Sequence, residues 1–258
     1  MLTQHEIYLD RENHCTWRPT PWDARALAVP TADVRNFCHR KRLGELFELI
    51  DQQNRGQGIG ICCFRHSAND LEMKREAMRH GFALTEFSLV AQHSDIGKLP
   101  PPRIPFTFTR VTPEDCCRLD QIRKIATDTF NHGRFHEDPW VAPEQARERY
   151  ALWINDLAAT AGLYAWELKG DVAGFFSYRI DAELLDLPLS GLAPCAQRMG
   201  GFFWNAMFSF IHEMEQVKST EILISGANTA VINLYAHLGF TFAHPVFGYH
   251  KHYYLEAP

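Results

Sequence analysis

The sequence lacks any apolar run of membrane-spanning length. Its longest, "GGFFWNAMFSFI" at 200 to 211, falls well short of the about 20 residues a span requires and carries Asn205 in its middle. The opening stretch, "MLTQHEIYLDRENHC", has no apolar core of signal-peptide size, so no membrane association is expected. There is no C-x-x-C pair either. The seven cysteines are odd in number and include two adjacent pairs, Cys62–Cys63 and Cys116–Cys117. That spacing suits neither a disulfide framework nor a zinc site, so the expected setting is a reducing cytoplasm and no metal is expected. A basic excess is also missing. The net charge of −5 argues against nucleic acid as a partner, and the one dense basic run, "HRKR" at 39 to 42, reads as a solvated helix start.

What is present is an ordinary globular composition, 46% hydrophobic and 22% charged, over 258 residues, a length comfortable for two domains. The proline run "KLPPPRIP" at 98 to 105 is the best linker, predicting domains at 1–100 and 101–258. Before it the pattern predicts β-α-β-α-β: "ARALAVP" a strand, "LGELFELIDQQ" a helix, "GIGICCF" a strand, "DLEMKREAMRH" a helix stopped by Gly81, and "TEFSLVA" a strand. After it, "PFTFTRV" starts a strand and "TPEDCCRLDQIRKIATDTF" a helix opened by Thr112, Pro113 and Asp115. A helix "PEQARERYALWINDLAA" and a hairpin turning at Lys169-Gly170-Asp171 follow. A strand around "LDLPLSGLA", a helix from Phe202 that is apolar nearly all round, the strand "TEILIS", the helix "TAVINLYAHL" and a last strand complete the chain. Mixed strands and helices in this order predict an α/β or α+β sheet covered by helices.

Two segments share a layout: "CCFRHSANDLEMKREAMRHGFALTEF" and "ILISGANTAVINLYAHLGFTFAHPVF". Each runs strand, Ala-Asn, helix, Gly-Phe, strand; Asn69 to Gly81 spans twelve residues and Asn228 to Gly239 eleven. Strand–helix–strand units are common, but the shared order favours an N-terminal domain that is a partial copy of the C-terminal fold.

The second segment carries the chemistry. "NTAVINLYAHLGF" resembles the C-terminal signature of the GCN5-related N-acetyltransferases: an Asn, a helix bearing Tyr, and Gly-Phe opening a strand. The resemblance implies that fold, a mixed twisted sheet flanked by helices, with acetyl-CoA or another short acyl-CoA as co-substrate. It implies that Asn228 and Tyr235 approach the thioester and pantetheine arm. A phenol there can give a proton to the departing thiolate, a general-acid role typically contributing about 10²–10⁴ in rate. A Tyr on an amphipathic helix is also a common core residue.

The same resemblance places a phosphate-binding loop at "AQRMGG", residues 196 to 201, before the buried helix. Arg198, Met199, Gly200, Gly201 and Phe202 would then meet the CoA pyrophosphate through backbone N–H groups and the helix dipole. Met199 stands where the family has glycine, and Ala196 where it has Gln or Arg, so weakened binding is expected; a side chain at 199 requires a negative φ. The backbone near Leu192–Ala193, on a splayed fourth strand, would hold the oxyanion. The more decorated "NRGQGIG", residues 54 to 60, runs into the strand "ICCF" rather than a helix, so it reads as a helix end and turn.

A third stretch, "FNHGRFHEDPWVAPEQARERYALWINDLA" at 130 to 158, resembles the TDP-fucosamine acetyltransferase-like enzymes that act on nucleotide-linked amino sugars. The matching residues are Arg134-Phe135, Pro139-Trp140, Tyr150, Trp153 and Ile154. The resemblance implies a nucleotide-linked amino sugar as acceptor, with Arg134 on its diphosphate and His136 or Asp138 on its sugar; an exposed loop held by its Asp-Pro turn is the plainer alternative. Asp181, Glu183 and Asp186 are possible bases for an ammonium group, though each alone suits a solvated loop. The expected protein is therefore an acyl-CoA-dependent N-acyltransferase, a monomer or homodimer. The alternatives are another amine acceptor on the same fold, or a non-catalytic acyl-CoA-binding protein prompted by Met199.

Overall fold

A computed structural model describes residues 3–255; the first two residues of the N-terminal stretch read above lie outside them. In chain order the elements are β1 (His5–Asp10), β2 (Asn13–Pro19), α1 (Pro21–Leu27), β3 (Thr31–Cys38), α2 (Leu43–Gly56), β4 (Ile61–Ser67), α3 (Leu71–Arg79) and β5 (Ala83–His93). They continue with β6 (Phe108–Arg110), α4 (Cys116–Thr129), α5 (Pro143–Thr160), β7 (Gly162–Leu168) and β8 (Asp171–Asp181). The last are β9 (Leu184–Asp186), β10 (Ser190–Leu192), α6 (Gly200–Glu215), β11 (Ser219–Ser225), α7 (Thr229–His237) and β12 (Thr241–His252). Among the described residues no helix is long and apolar enough to cross a membrane.

The chain divides into two compact units: Met1–Ser88, Gly133–Arg149 and His244–Pro258 make the first, Leu89–His132 and Tyr150–Ala243 the second. This differs from a single cut after residue 100, because two later segments return to unit 1. The proline run falls inside unit 2, where Leu99 and Phe106 pack on the core.

In unit 1, β1, β2 and β3 form an antiparallel meander, β4 pairs parallel with β3, and β12 pairs antiparallel with β4. The apolar stripe of α2 (Leu43, Leu46, Phe47, Ile50) packs on Val34, Phe64 and Tyr249 to make the core. Arg42 precedes α2 and pairs with Asp10 and Glu45, so the basic run is a helix start. The expected strand at 24–30 is instead helix α1: Pro21 at its first turn and Asp23 beside it are helix-start signals, and Ala28 ends it in the left-handed region at φ 57°. "NRGQGIG" is the end of α2 and a turn. Gly58 has φ +64°, and Asn54 is fully buried, accepting from the Trp17 indole at 2.8 Å and donating to the Tyr253 hydroxyl at 2.9 Å.

In unit 2, β6, β7 and β8 are antiparallel, and the β7–β8 hairpin turns through Lys169 and Gly170, both at positive φ as a two-residue turn requires. Side chains alternate across this sheet. Tyr164, Trp166 and Phe176 face one core with α6, while Leu163, Ala165 and Phe175 face another with α4 and α5. Helices therefore cover both faces of the sheet. Helix α6 buries Phe203, Trp204, Ala206, Met207, Phe208 and Ile211, as its nearly all-round apolarity predicts. Helix α4 starts one turn later than Pro113 suggested: Asp115 is its cap, accepting from the Arg118 N–H.

Candidate functional site

The strand that follows β8 is split. Its first part, β9, pairs with β8 and also, in parallel, with β11 at Ser219–Leu184 and Thr220–Leu185. Its second part, β10, pairs with β8 and, among the described residues, with no other strand. The antiparallel register alternates hydrogen-bonded and open pairs. Ala193 donates its N–H to the Ala173 carbonyl at 2.9 Å, and Ser177 donates to the Leu189 carbonyl at 2.8 Å. Residues 189 and 193 thus face β8, and Leu192, opposite Gly174 in an open pair, turns its N–H away from β8. The expectation that both Leu192 and Ala193 serve as oxyanion donors is corrected here: the Ala193 N–H is spent on the sheet ladder.

A 3-10 turn, Pro194–Met199, carries the chain from β10 directly into α6. Met199 has φ −88°, the negative value a side chain at this place requires, and packs partly buried on the core. The Gly200 N–H caps the turn on the Gln197 carbonyl, so it is not a free donor. Around Gly200 and Gly201 an added Cβ would meet nothing within 4 Å, while Arg198 and Phe202 are exposed. The first-turn N–H groups of a helix lack partners within that helix, and here, with the Gly200 N–H bonded to the preceding turn, the backbone around Gly201 has open space beside it.

Tyr235 lies beneath this corner, 2% exposed, in the same core cluster as Leu192, Phe203 and Trp204. Its hydroxyl oxygen accepts from the Trp204 indole at 3.3 Å. Burial pushes the phenol well above its ordinary range, and the Trp204 donor pulls the other way. Asn228 caps α7: its Oδ1 accepts from the Val231 N–H at 3.2 Å.

The repeated segment holds up in local geometry, with one correction of register. The cap of α3 is Asp70, not Asn69, and its carboxylate accepts from the Met73 N–H as Asn228 accepts from Val231. From Asp70 to Gly81 and from Asn228 to Gly239 is then eleven residues in both. Both glycines have positive φ, +76° and +85°, and Phe82 and Phe240 donate back to the carbonyls of Ala77 and Tyr235. Ala77, fully buried, stands in unit 1 where unit 2 has its tyrosine.

No protein-family model matches the sequence, and no curated protein matches it. Solved structures do. A functionally unknown conserved protein from Staphylococcus epidermidis superposes with a TM-score of 0.67 at 11% identity, over 96% of this chain and 94% of its own. A tandem GNAT protein from the clavulanic acid biosynthesis pathway gives 0.65 at 13%, over 97% and 83%. A GCN5-related N-acetyltransferase from Sphaerobacter thermophilus gives 0.63 at 14%, over 95% and 82%. The chain has the GCN5-related N-acetyltransferase fold. Identities this low speak for the fold alone.

Against that fold, the acceptor residues expected at 134 to 138 are misplaced. Arg134 is turned inward in unit 1, donating to Asp23 at 2.8 Å, lying 3.8 Å from Asp33 and stacking over Phe135 at 4.7 Å. A guanidinium already matched to buried carboxylates cannot also clamp a diphosphate. Asp138 is buried as well, with one oxygen bonded to His250 at 2.6 Å and His252 at 2.8 Å. His136 is half-buried in the same inward segment. Arg134 to Asp138 are thus packed inward rather than exposed, although the expected Asp-Pro turn is present, the Asp138 carboxylate accepting from the Trp140 N–H at 3.0 Å. Asp181, Glu183 and Asp186 are exposed at a turn where Ala182 and Glu183 have positive φ. Sequence reasoning missed Trp204, visible only as one more aromatic in an apolar run, and Asp23, which lies just before the stretch read as a strand.

Proposed function

We propose that the 101–258 half carries an acyl-CoA-dependent N-acyltransferase, with the 1–100 half its partial copy. The observation that carries this reading is the turned-out N–H of Leu192 beside the open start of α6. Donors aimed at an acyl oxygen and a pyrophosphate thus follow one another along ten residues of chain, from 192 to 201.

In the reaction a neutral amine attacks the thioester carbonyl, and the oxyanion is held by the Leu192 N–H, a donor typically worth about 10²–10³ in rate. The C–S bond then breaks, the electron pair goes to sulfur, and Tyr235 gives that sulfur its proton. The proton lost by the new amide nitrogen restores the phenol. Arg198, Met199, Gly201 and Phe202 bound the pyrophosphate, and the Asn228 amide reaches the pantetheine arm.

The acceptor reading is the amine of a nucleotide-linked amino sugar, and it rests on the likeness of residues 130 to 158. Tyr150, Trp153 and Ile154 keep that likeness on α5, where Ile154 is fully buried and Tyr150 bonds the His132 carbonyl at 2.7 Å. Arg134 lends it no support.

The test is calorimetric CoA binding combined with thiol release from acetyl-CoA across an amine panel. The panel holds nucleotide-linked amino sugars, free amino sugars, polyamines and a lysine peptide. Turnover confined to the nucleotide-linked sugars supports the whole reading. Turnover on another amine keeps the transferase and replaces the acceptor, and CoA binding without turnover on any amine makes the chain a binder. No CoA binding overturns the proposal.

A further inference from the structure

Strand β12 ends in His250-Lys251-His252, and on a strand residues two apart point to the same side. In unit 1 both imidazoles turn onto one oxygen of Asp138, His250 through Nδ1 and His252 through Nε2. These three ligand atoms lie within 4.8 Å of one another, and all three side chains are buried. Nothing in the proposed transfer chemistry uses them.

Several features distinguish this cluster from a simple buried hydrogen-bond network. Ligating groups in metal sites are held by outer partners, and two of the three have one here. The second oxygen of Asp138 accepts from the Trp140 N–H at 3.0 Å, and the other ring nitrogen of His252 meets the Tyr254 hydroxyl at 2.9 Å. The remaining ring nitrogen of His250, Nε2, is buried and has no hydrogen-bond partner among the described residues. The donor set, two imidazoles and a carboxylate converging on one point, is one that zinc and its neighbours accept, with metal–ligand bonds of about 2.0–2.2 Å. Tetrahedral geometry at that bond length puts ligand atoms about 3.3 Å apart, so the present 2.6 and 2.8 Å spacings need open by about 0.5–0.7 Å. The neighbouring charge of Arg134 is already matched by Asp23 and Asp33.

The chain positions give such an ion a purpose. Asp138 lies in the 133–149 segment and the histidines in the 244–258 segment, the two stretches that return to unit 1 from elsewhere in the sequence. The contacts close loops of 112 and 114 residues, and a clip that closes a long loop has most to contribute. We propose that Asp138, His250 and His252 bind one divalent transition-metal ion, zinc in the first instance, which staples these two segments within unit 1. The staple is independent of the acyl-transfer reading.

The experiment uses the full chain, stripped with a chelator and titrated with Co²⁺ and with Zn²⁺. One equivalent of Co²⁺ should bind with the visible absorption of a tetrahedral N/O site, Zn²⁺ should displace it, and Zn²⁺ should raise Tm. His252→Gln and His250→Gln should each lose the cobalt spectrum and the Tm response. A second set of ligand atoms, on His39, His66 and Asp70, is half-buried in unit 1 and serves as the control. His39→Gln with His66→Gln should leave both readouts intact. A wild-type chain that shows no cobalt band and no Tm shift overturns the proposal, a result that does not depend on any variant folding. So does a signal that survives at 250 and 252 or disappears with 39 and 66.

Discussion

The indole N–H of Trp204 reaches the hydroxyl oxygen of Tyr235 at 3.3 Å, so the phenol is the acceptor in this pair and its own proton is left for another partner. A phenol at its ordinary pKa of about 10 is a weak acid toward a thiol of about 8.5. Burial weakens it further, and the indole donor is the one group found to oppose that by stabilising the oxygen as it gains charge.

Tyr235→Phe is therefore expected to lower kcat by about 10²-fold with little change in CoA affinity, and Trp204→Phe by about 10-fold. The double variant should be no slower than Tyr235→Phe, because the indole acts only through the phenol. Additive losses in steady-state kinetics would detach Trp204 from the acid, and an unchanged Tyr235→Phe would remove the acid itself.

The pH dependence follows from the same burial. Tyr235 is raised above its ordinary value, so it keeps its proton through neutral pH and beyond about pH 10. Activity should rise with pH as the acceptor amine loses its proton, with no falling limb from Tyr235 below about pH 10. A limb that falls below pH 9 in the wild type and vanishes in Tyr235→Phe would contradict this.

The N–H alternation at β10 gives a sharper test than a side-chain change. An ester in place of the amide at Leu192, introduced with the α-hydroxy analogue, removes the turned-out donor and should cost about 10²–10³ in kcat. The same replacement at Ala193 removes a ladder bond to Ala173, and should lower Tm more than kcat. Equal rate losses at the two positions would mean that the ladder, not the oxyanion, is being read.

For the pyrophosphate, calorimetry on Gly201→Pro and Gly56→Ala separates the two glycine-bearing segments. Proline at Gly201, in the first turn of α6 where an added Cβ would meet nothing within 4 Å, removes one N–H, and CoA affinity should fall. Gly56 lies in α2 with open space around it, so alanine there should leave affinity unchanged and stability equal or slightly higher. Loss of binding only in Gly56→Ala would move the site to the first half.

Much of this was legible because local chemistry forced it. The Lys169-Gly170 turn, the Gly81 helix stop and the all-round apolar helix α6 each follow from neighbouring residues alone. Strands β1 and β2 carried no comparable signal: "HEIYLD" and "NHCTWRP" interleave polar and charged residues, and only cross-strand pairing makes them a sheet. Unit 1 was beyond reach for a related reason. Contacts that hold it together join residues more than a hundred positions apart, and nothing at 134 announces the carboxylate at 23. Charged residues in a loop read as solvent-facing until tertiary packing matches them.

That match makes the last prediction. Asp23 is 1% exposed and accepts from Arg134 at 2.8 Å and Arg149 at 2.9 Å. Burial alone would raise its pKa, but the two guanidinium groups outweigh it and the carboxyl is held below its ordinary value. A carboxyl depressed on folding stabilises the native state above its unfolded pKa of about 3.9, and that contribution is lost as pH falls through the folded value. Asp23→Asn should therefore cost about 3–5 kcal/mol at neutral pH, since it strands buried positive charge. The variant should also lose part of the wild type's decline in stability below about pH 4. Arg134→Gln should likewise lower stability, and should leave the acceptor KM unmoved once measured below the variant's melting temperature. A large change in that KM with an unchanged denaturation midpoint would return Arg134 to the substrate and undo the inward pairing argued here.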